Sequence, residues 1–235
     1  MRKLWLMSGP ALSLAITGCG DAPGIAGHIE TREERIRRQE AEFNASPDIK
    51  GEELHKRLNA LGVKDAWMKP ALEEHGVEIF ELRVPKDDFA RLDHRALAKL
   101  VLDSRYRFAF VDPDQVRVAA LYHGAETHER ERAKALKELA ERGQRDSYPK
   151  YRKGMPVSVY APRLEAWCGY KEGEALRVVD GDWVDYQPAM VDMAVADKGG
   201  RASASFDCMK RVVDASTEFR RRFIGNRGRE GAIDY

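Results

Sequence analysis

The stretch Glu126-Thr127-His128-Glu129-Arg130-Glu131-Arg132-Ala133-Lys134-Ala135-Leu136-Lys137-Glu138-Leu139-Ala140-Glu141-Arg142-Gly143 sets the frame for the chain. Ala133, Leu136, Leu139 and Ala140 recur at helical spacing, charges fill the other positions, and Gly143 supplies a stop. A polar connection containing Pro and Tyr, residues 143–155, comes next. Beyond it the pattern turns to short strands: Val157 to Tyr160, Ala166 to Tyr170 and Leu176 to Val179. Asp180-Gly181 is a hairpin signal leading into Trp183 to Tyr186. Helices are expected again over Ala189 to Ala196 and Phe206 to Arg222. The fold class read from this is α+β, with a helix-rich region over 31–143 and a mixed strand and helix region over 144–235.

Working back toward the N-terminus, Thr31-Arg32-Glu33-Glu34 has capping-box spacing and opens a charged helix through Phe43, a solvated arm. Ser46-Pro47-Asp48 starts a second helix, carried by Leu54, Leu58 and Leu61 and stopped by Gly62. A further helical segment is expected from Lys64 to Glu74, disturbed by Pro70. Val77 to Val84 reads as a strand ending at Pro85, and Asp93 to Asp103 as a helix. Tyr106, Phe108 and Phe110 alternate as a half-buried strand, with Val116, Val118 and Ala120 as its hairpin partner beyond Asp112-Pro113.

The first twenty residues follow a different logic. Arg2 and Lys3 are positive, Leu4 to Ala15 is apolar, and small residues lead to Cys19. That is the order of an export signal. Its apolar part, roughly a dozen residues, is shorter than the about 20 needed to cross a bilayer. Ile16-Thr17-Gly18-Cys19 resembles the lipobox of bacterial lipoproteins. The resemblance implies cleavage before Cys19, a diacylglyceryl thioether on its sulfur, and an acyl chain such as palmitate on the new amine. Several acyl chains matter, because one alone binds a membrane only marginally. Gly20, rather than Asp, follows the cysteine, which for this family implies the outer membrane, facing the periplasm. The expected organisation is a signal peptide over 1–18 and a lipidated, Gly-rich tether over 19–30 ahead of the two regions above.

The whole chain holds 40 basic and 39 acidic residues, net +1. Losing residues 1–18 removes Arg2 and Lys3 and no acid, leaving 38 against 39, net −1. A near-neutral body gives no electrostatic case for a nucleic-acid partner. The cysteines other than Cys19 are Cys168 and Cys208. Export places them in an oxidising compartment, where a remaining pair is expected to bridge. Such a bond pins the second region; the sharper alternative, a reactive thiol paired with a histidine, lacks a nucleophile motif around either residue.

Four constellations bear on chemistry. His123, Glu126 and His128 are the residue types of a zinc-hydrolase helix, but the histidines stand five apart rather than four, about 140° around a helix. His75 and His94 lack ligand spacing to anything. Ser147-Tyr148-Pro149-Lys150 has the Ser-x-x-Lys spacing of penicillin-recognising enzymes, yet Pro149 and its polar setting indicate an exposed turn. Asp180, Asp182 and Asp185 surround the hairpin and fit turn chemistry better than a calcium loop. Arg211, Arg220, Arg221 and Arg222, with Arg227 and Arg229 beyond, suit either a solvated helix end or an anionic surface. No catalytic residue, metal ligand or cofactor is assigned. The expected activity is that of a membrane-anchored accessory in an envelope assembly such as secretion or conjugation, held by its lipid and binding a protein or peptidoglycan. The alternative is a lipid-tethered hydrolase of an envelope polymer, which convergence of His123, Glu126 and His128 in one cleft would favour.

Overall fold

The computed structural model describes residues 23–25, 32–45, 49, 51–69, 79–104, 106–197 and 200–224. After a 3-10 turn at Pro23–Ile25, the elements run α1 (Arg32–Ala45), α2 (Gly51–Ala60), β1 (Ala66–Lys69), β2 (Ile79–Leu82), α3 (Lys86–Phe89), α4 (His94–Asp103), β3 (Arg107–Phe110) and α5 (Pro113–Glu141). Then come α6 (Val157–Trp167), β4 (Leu176–Val179), β5 (Trp183–Tyr186), α7 (Pro188–Ala196), α8 (Arg201–Ala215) and α9 (Thr217–Arg220). The class is α+β, with small sheets and one disulfide.

Helix α5 is the spine. Its 29 residues extend about 43 Å at the α-helical rise. Asp112 caps it, accepting the Asp114 N–H at 2.8 Å, and Pro113 takes the first turn. Its first half packs on α4 and β3, its second half on α8. Gln115 Nε2 donates to the Val84 carbonyl at 2.7 Å, and Arg130 pairs with Asp103 at 2.9 Å. Further along, Glu138 accepts from Arg211 at 3.0 Å, and Ala135 and Leu139 bury against Ala215.

The body has two larger apolar clusters, and Val118 of α5 packs on the first of them. The first gathers Leu54 and Leu58 of α2, Phe80 and Leu82 of β2, and Leu97 and Leu100 of α4. Its sheet has β2 in the middle, antiparallel to β1 and parallel to β3. The β2–β3 crossover runs through α3 and α4. Helix α2 is closed two residues past Ala60 by Gly62, whose φ of +98° lets Val63 donate to the Leu58 carbonyl at 2.9 Å. The second cluster surrounds the disulfide: Tyr160 and Leu164 of α6, Leu176 and Val184 of the β4–β5 hairpin, and Met209, Val212 and Phe219. Each fully buried side chain of this kind contributes roughly 1.5–3 kcal/mol.

Four expectations are corrected. Val116, Val118 and Ala120 belong to α5 and not to a hairpin, because Asp112-Pro113 is a cap followed by a first-turn proline rather than a strand break. Val157 to Tyr160 and Ala166 to Tyr170 are not strands. Val157, Tyr160, Ala161, Leu164 and Cys168 all bury on one helical face, and α6 accommodates Pro162 in its interior. The segment expected as a helix from Lys64 is strand β1 over Ala66–Lys69, paired to β2; Pro70 to Glu74 lie outside the described residues. The last helix breaks at Ser216, whose Oγ accepts from the Phe219 N–H at 3.4 Å to cap α9. The Asp180-Gly181 hairpin forms as expected, with both residues at positive φ, +51° and +76°.

Candidate functional site

Cys168 and Cys208 are bonded, with Cα atoms 5.6 Å apart, joining the end of α6 to the middle of α8. Both are fully buried. The 3-10 turn Pro23–Ile25 lies directly on this bond. A Cβ placed on Gly24 would stand 2.5 Å from Trp167 Cδ1 and closer still to Cys208 Sγ, so only glycine fits there. Ile25 is buried in the disulfide cluster. Gln144 Nε2 donates to the Pro23 carbonyl at 2.6 Å.

Gln144 is positioned by the end of α5. Gly143, at φ +66°, turns the chain so that its own N–H reaches the Ala140 carbonyl at 2.9 Å and the Gln144 N–H reaches the Leu139 carbonyl at 2.8 Å. This doubly bonded helix end satisfies two otherwise orphaned carbonyls and aims Gln144 across the base of the disulfide cluster. The segment expected as a flexible tether therefore contains three residues docked into the body. Cys19 and the lipobox lie outside the described residues.

The candidate chemical constellations fall on ordinary structural duties. His123 is exposed on α5, while Glu126 is buried and accepts from Arg130 Nε at 3.2 Å. His128 is half-buried and is one of the basic groups around Glu131. The three do not meet in a cleft. Among the described residues no group of three His, Cys, Asp or Glu side chains is placed to hold a metal ion. His75 lies outside the described residues. His94 stacks on Tyr122, ring centroids 5.0 Å apart, and meets Phe89 at a tilt, 4.6 Å away. Ser147 Oγ donates to the Gln144 carbonyl at 3.3 Å, and Lys150 lies over the Tyr148 ring, 5.5 Å from its centroid. Asp185 pairs with Arg177 at 3.1 Å, and Asp180 occupies the hairpin turn.

Among the described residues, the C-terminal arginines do not form one outward patch. Arg211 is buried and pairs with Glu138. Arg220 bridges Asp214, at 2.9 Å, and Glu131, while Lys210 bonds Asp214. Burial raises the Asp214 carboxyl above its ordinary value, partly offset by Lys210 and Arg220. Burial also pushes Glu131 upward, but its bond to Arg220 and the nearby cations more than reverse this, leaving it lowered. This network ties α5 to α8 and α9. Arg221 lies 3.7 Å from Glu218, and Arg227 and Arg229 are outside the described residues.

Sequence reasoning missed Glu165. This α6 side chain is buried and accepts backbone N–H groups of Gly173, Ala175 and Leu176 at 2.9, 2.8 and 2.8 Å. It anchors the entry to β4, and only a helical reading of Val157 to Trp167 would have turned it inward. Burial, followed by the charges of Glu174 and Asp207, raises the Tyr170 hydroxyl to about 12. No described helix is long and apolar enough to cross a membrane. The chain matches no protein-family model, no curated protein and no solved structure.

Proposed function

We propose that this chain is an exported lipoprotein, anchored through lipid on Cys19, whose body binds a partner in or scaffolds an assembly of the bacterial envelope. The observation that carries the reading is the order Arg2-Lys3, apolar Leu4 to Ala15, then Ile16-Thr17-Gly18-Cys19. The closed Cys168–Cys208 bond supports it, because such bonds persist in oxidising compartments outside the cytoplasm. Its bonded geometry also removes both sulfurs from the pool of candidate nucleophiles. Glu131 and Glu138 of α5, Arg211 and Asp214 of α8 and Arg220 of α9 are engaged in pairing the helices, which favours a structural or partner-binding body over a catalytic one.

The test uses the full chain expressed in a bacterial host with a lipoprotein export pathway. Wild type is expected in the membrane fraction and Cys19→Ser largely in the soluble fraction. Incubating the purified mature chain with isolated peptidoglycan should release no soluble fragments, and elemental analysis should find no stoichiometric zinc. A Cys19→Ser chain that stays membrane-bound contradicts the anchor. Fragment release, or one zinc per chain lost on His123→Ala or His128→Ala, replaces the accessory role with a tethered hydrolase.

A further inference from the structure

The turn at Pro23–Ile25 has a consequence for how an anchored body meets its membrane. Gly24 and Ile25 are buried, and the Pro23 carbonyl is held by Gln144. Four residue steps separate Cys19 from Pro23, which even fully extended reach about 14 Å. A lipid on Cys19 therefore keeps Gln144 and its surroundings close to the headgroups, while α5 carries the β1–β2–β3 lobe toward its far end, about 43 Å away along the helix.

The connection around Gln144 is predominantly basic. The connection from Arg142 to Gly154 contains Arg142, Arg145, Lys150, Arg152 and Lys153, all exposed, against one acid, Asp146. Its net +4 stands against −1 for the mature chain, so the rest of that chain carries −5. The connection is also held in shape. The Tyr160 hydroxyl donates to the Pro149 carbonyl at 2.8 Å, the Tyr151 hydroxyl to the Met155 carbonyl at 2.7 Å, and Tyr148 and Tyr151 pack on the disulfide cluster.

We infer that the 142–154 connection is the membrane-facing surface of the anchored body and that it rests on anionic phospholipid headgroups. The inference depends on the lipid at Cys19 proposed above. Tether length brings this face to the bilayer, and charge then fixes the orientation. Juxtamembrane basic residues are attracted to an anionic leaflet within about one Debye length, whereas the acidic remainder is repelled. Among the described residues, Arg211 and Arg220 near the C-terminus are instead held in internal pairs.

The test reconstitutes the full lipidated chain in vesicles of phosphatidylglycerol and phosphatidylcholine, or of phosphatidylcholine alone, with a nitroxide quencher on the headgroups. A fluorescent amino acid is placed at Ser147, or at Asp114 near the start of α5. Quenching on the anionic vesicles is expected to be several-fold stronger at Ser147. The gap should collapse in the fourfold variant Arg145→Glu, Lys150→Glu, Arg152→Glu, Lys153→Glu. Gly24→Val, which evicts the docked turn, should weaken Ser147 quenching while the protein still floats with the vesicles. Equal quenching at the two positions in floating protein overturns the membrane-facing assignment and leaves the anchor standing. Equal Ser147 quenching on anionic and neutral vesicles overturns the anionic occupant. A chain that does not float, with Cys19 unmodified, removes the anchor and this inference together.

Discussion

Gln144 and Pro23 are 121 residues apart in sequence, yet the side-chain amide of one donates to the backbone carbonyl of the other at 2.6 Å. The bond joins the C-terminal end of the spine helix to the segment that precedes the folded body. Gln144→Ala is expected to cost about 1 kcal/mol, the usual net value of such a bond. It should also expose the turn beneath it. Limited proteolysis under native conditions would show this as faster cleavage near Pro23, with the body intact.

The Cys168–Cys208 bond closes a separation of 40 residues. Constraint of the unfolded chain alone makes it worth roughly 4 kcal/mol. Alkylation of exported protein without reduction should label neither cysteine. The double replacement Cys168→Ala, Cys208→Ala should lower the unfolding free energy obtained from urea titration by an amount near that figure. Free labelling of both sulfurs in folded, exported protein would reject the bond.

Glu165 satisfies three backbone donors from inside the body. Glu165→Gln exchanges one acceptor oxygen for a donor that faces N–H groups, leaving at least one buried donor unpaired. A loss of about 2 kcal/mol is expected, read as a drop in thermal midpoint. A neutral effect would mean that the loop before β4 repacks freely.

Burial holds the His94 imidazole below its ordinary value, and the neighbouring Asp93 carboxylate only partly opposes it. The folded chain then binds fewer protons than the unfolded one between the folded value and about 6.5. Stability from this group is complete above that window and declines as pH falls through it. His94→Phe, which keeps an aromatic ring against Phe89 and Tyr122, should flatten the pH dependence of the urea midpoint on the acidic side of neutral. An unchanged slope would assign that dependence to other groups.

The parts of the fold legible in sequence were those with a local signature. The helical spacing of Ala133, Leu136, Leu139 and Ala140 with Gly143 marked the end of α5, Asp180-Gly181 marked the hairpin, and the count of cysteines marked the bridge. Helix α6 was hidden because Val157, Val159 and Tyr160 favour strands locally and Pro162 discourages a helix, while burial on both the hairpin and α8 decided otherwise. The start of α5 was missed because Asp-Pro signals both a turn and a capped helix. The docking of Pro23–Ile25 had no signature at all. A run of three residues, Pro23, Gly24 and Ile25, is too short to show periodicity, and the partners that hold Pro23 and Gly24 lie more than a hundred residues away.

Whether lipid sits on Cys19 is decided by intact mass analysis of the N-terminal peptide from membrane-purified protein. The expected peptide begins at Cys19 and carries a diacylglyceryl group with an added acyl chain. A membrane-bound chain whose N-terminal peptide retains Met1, or whose Cys19 is unmodified, would contradict it.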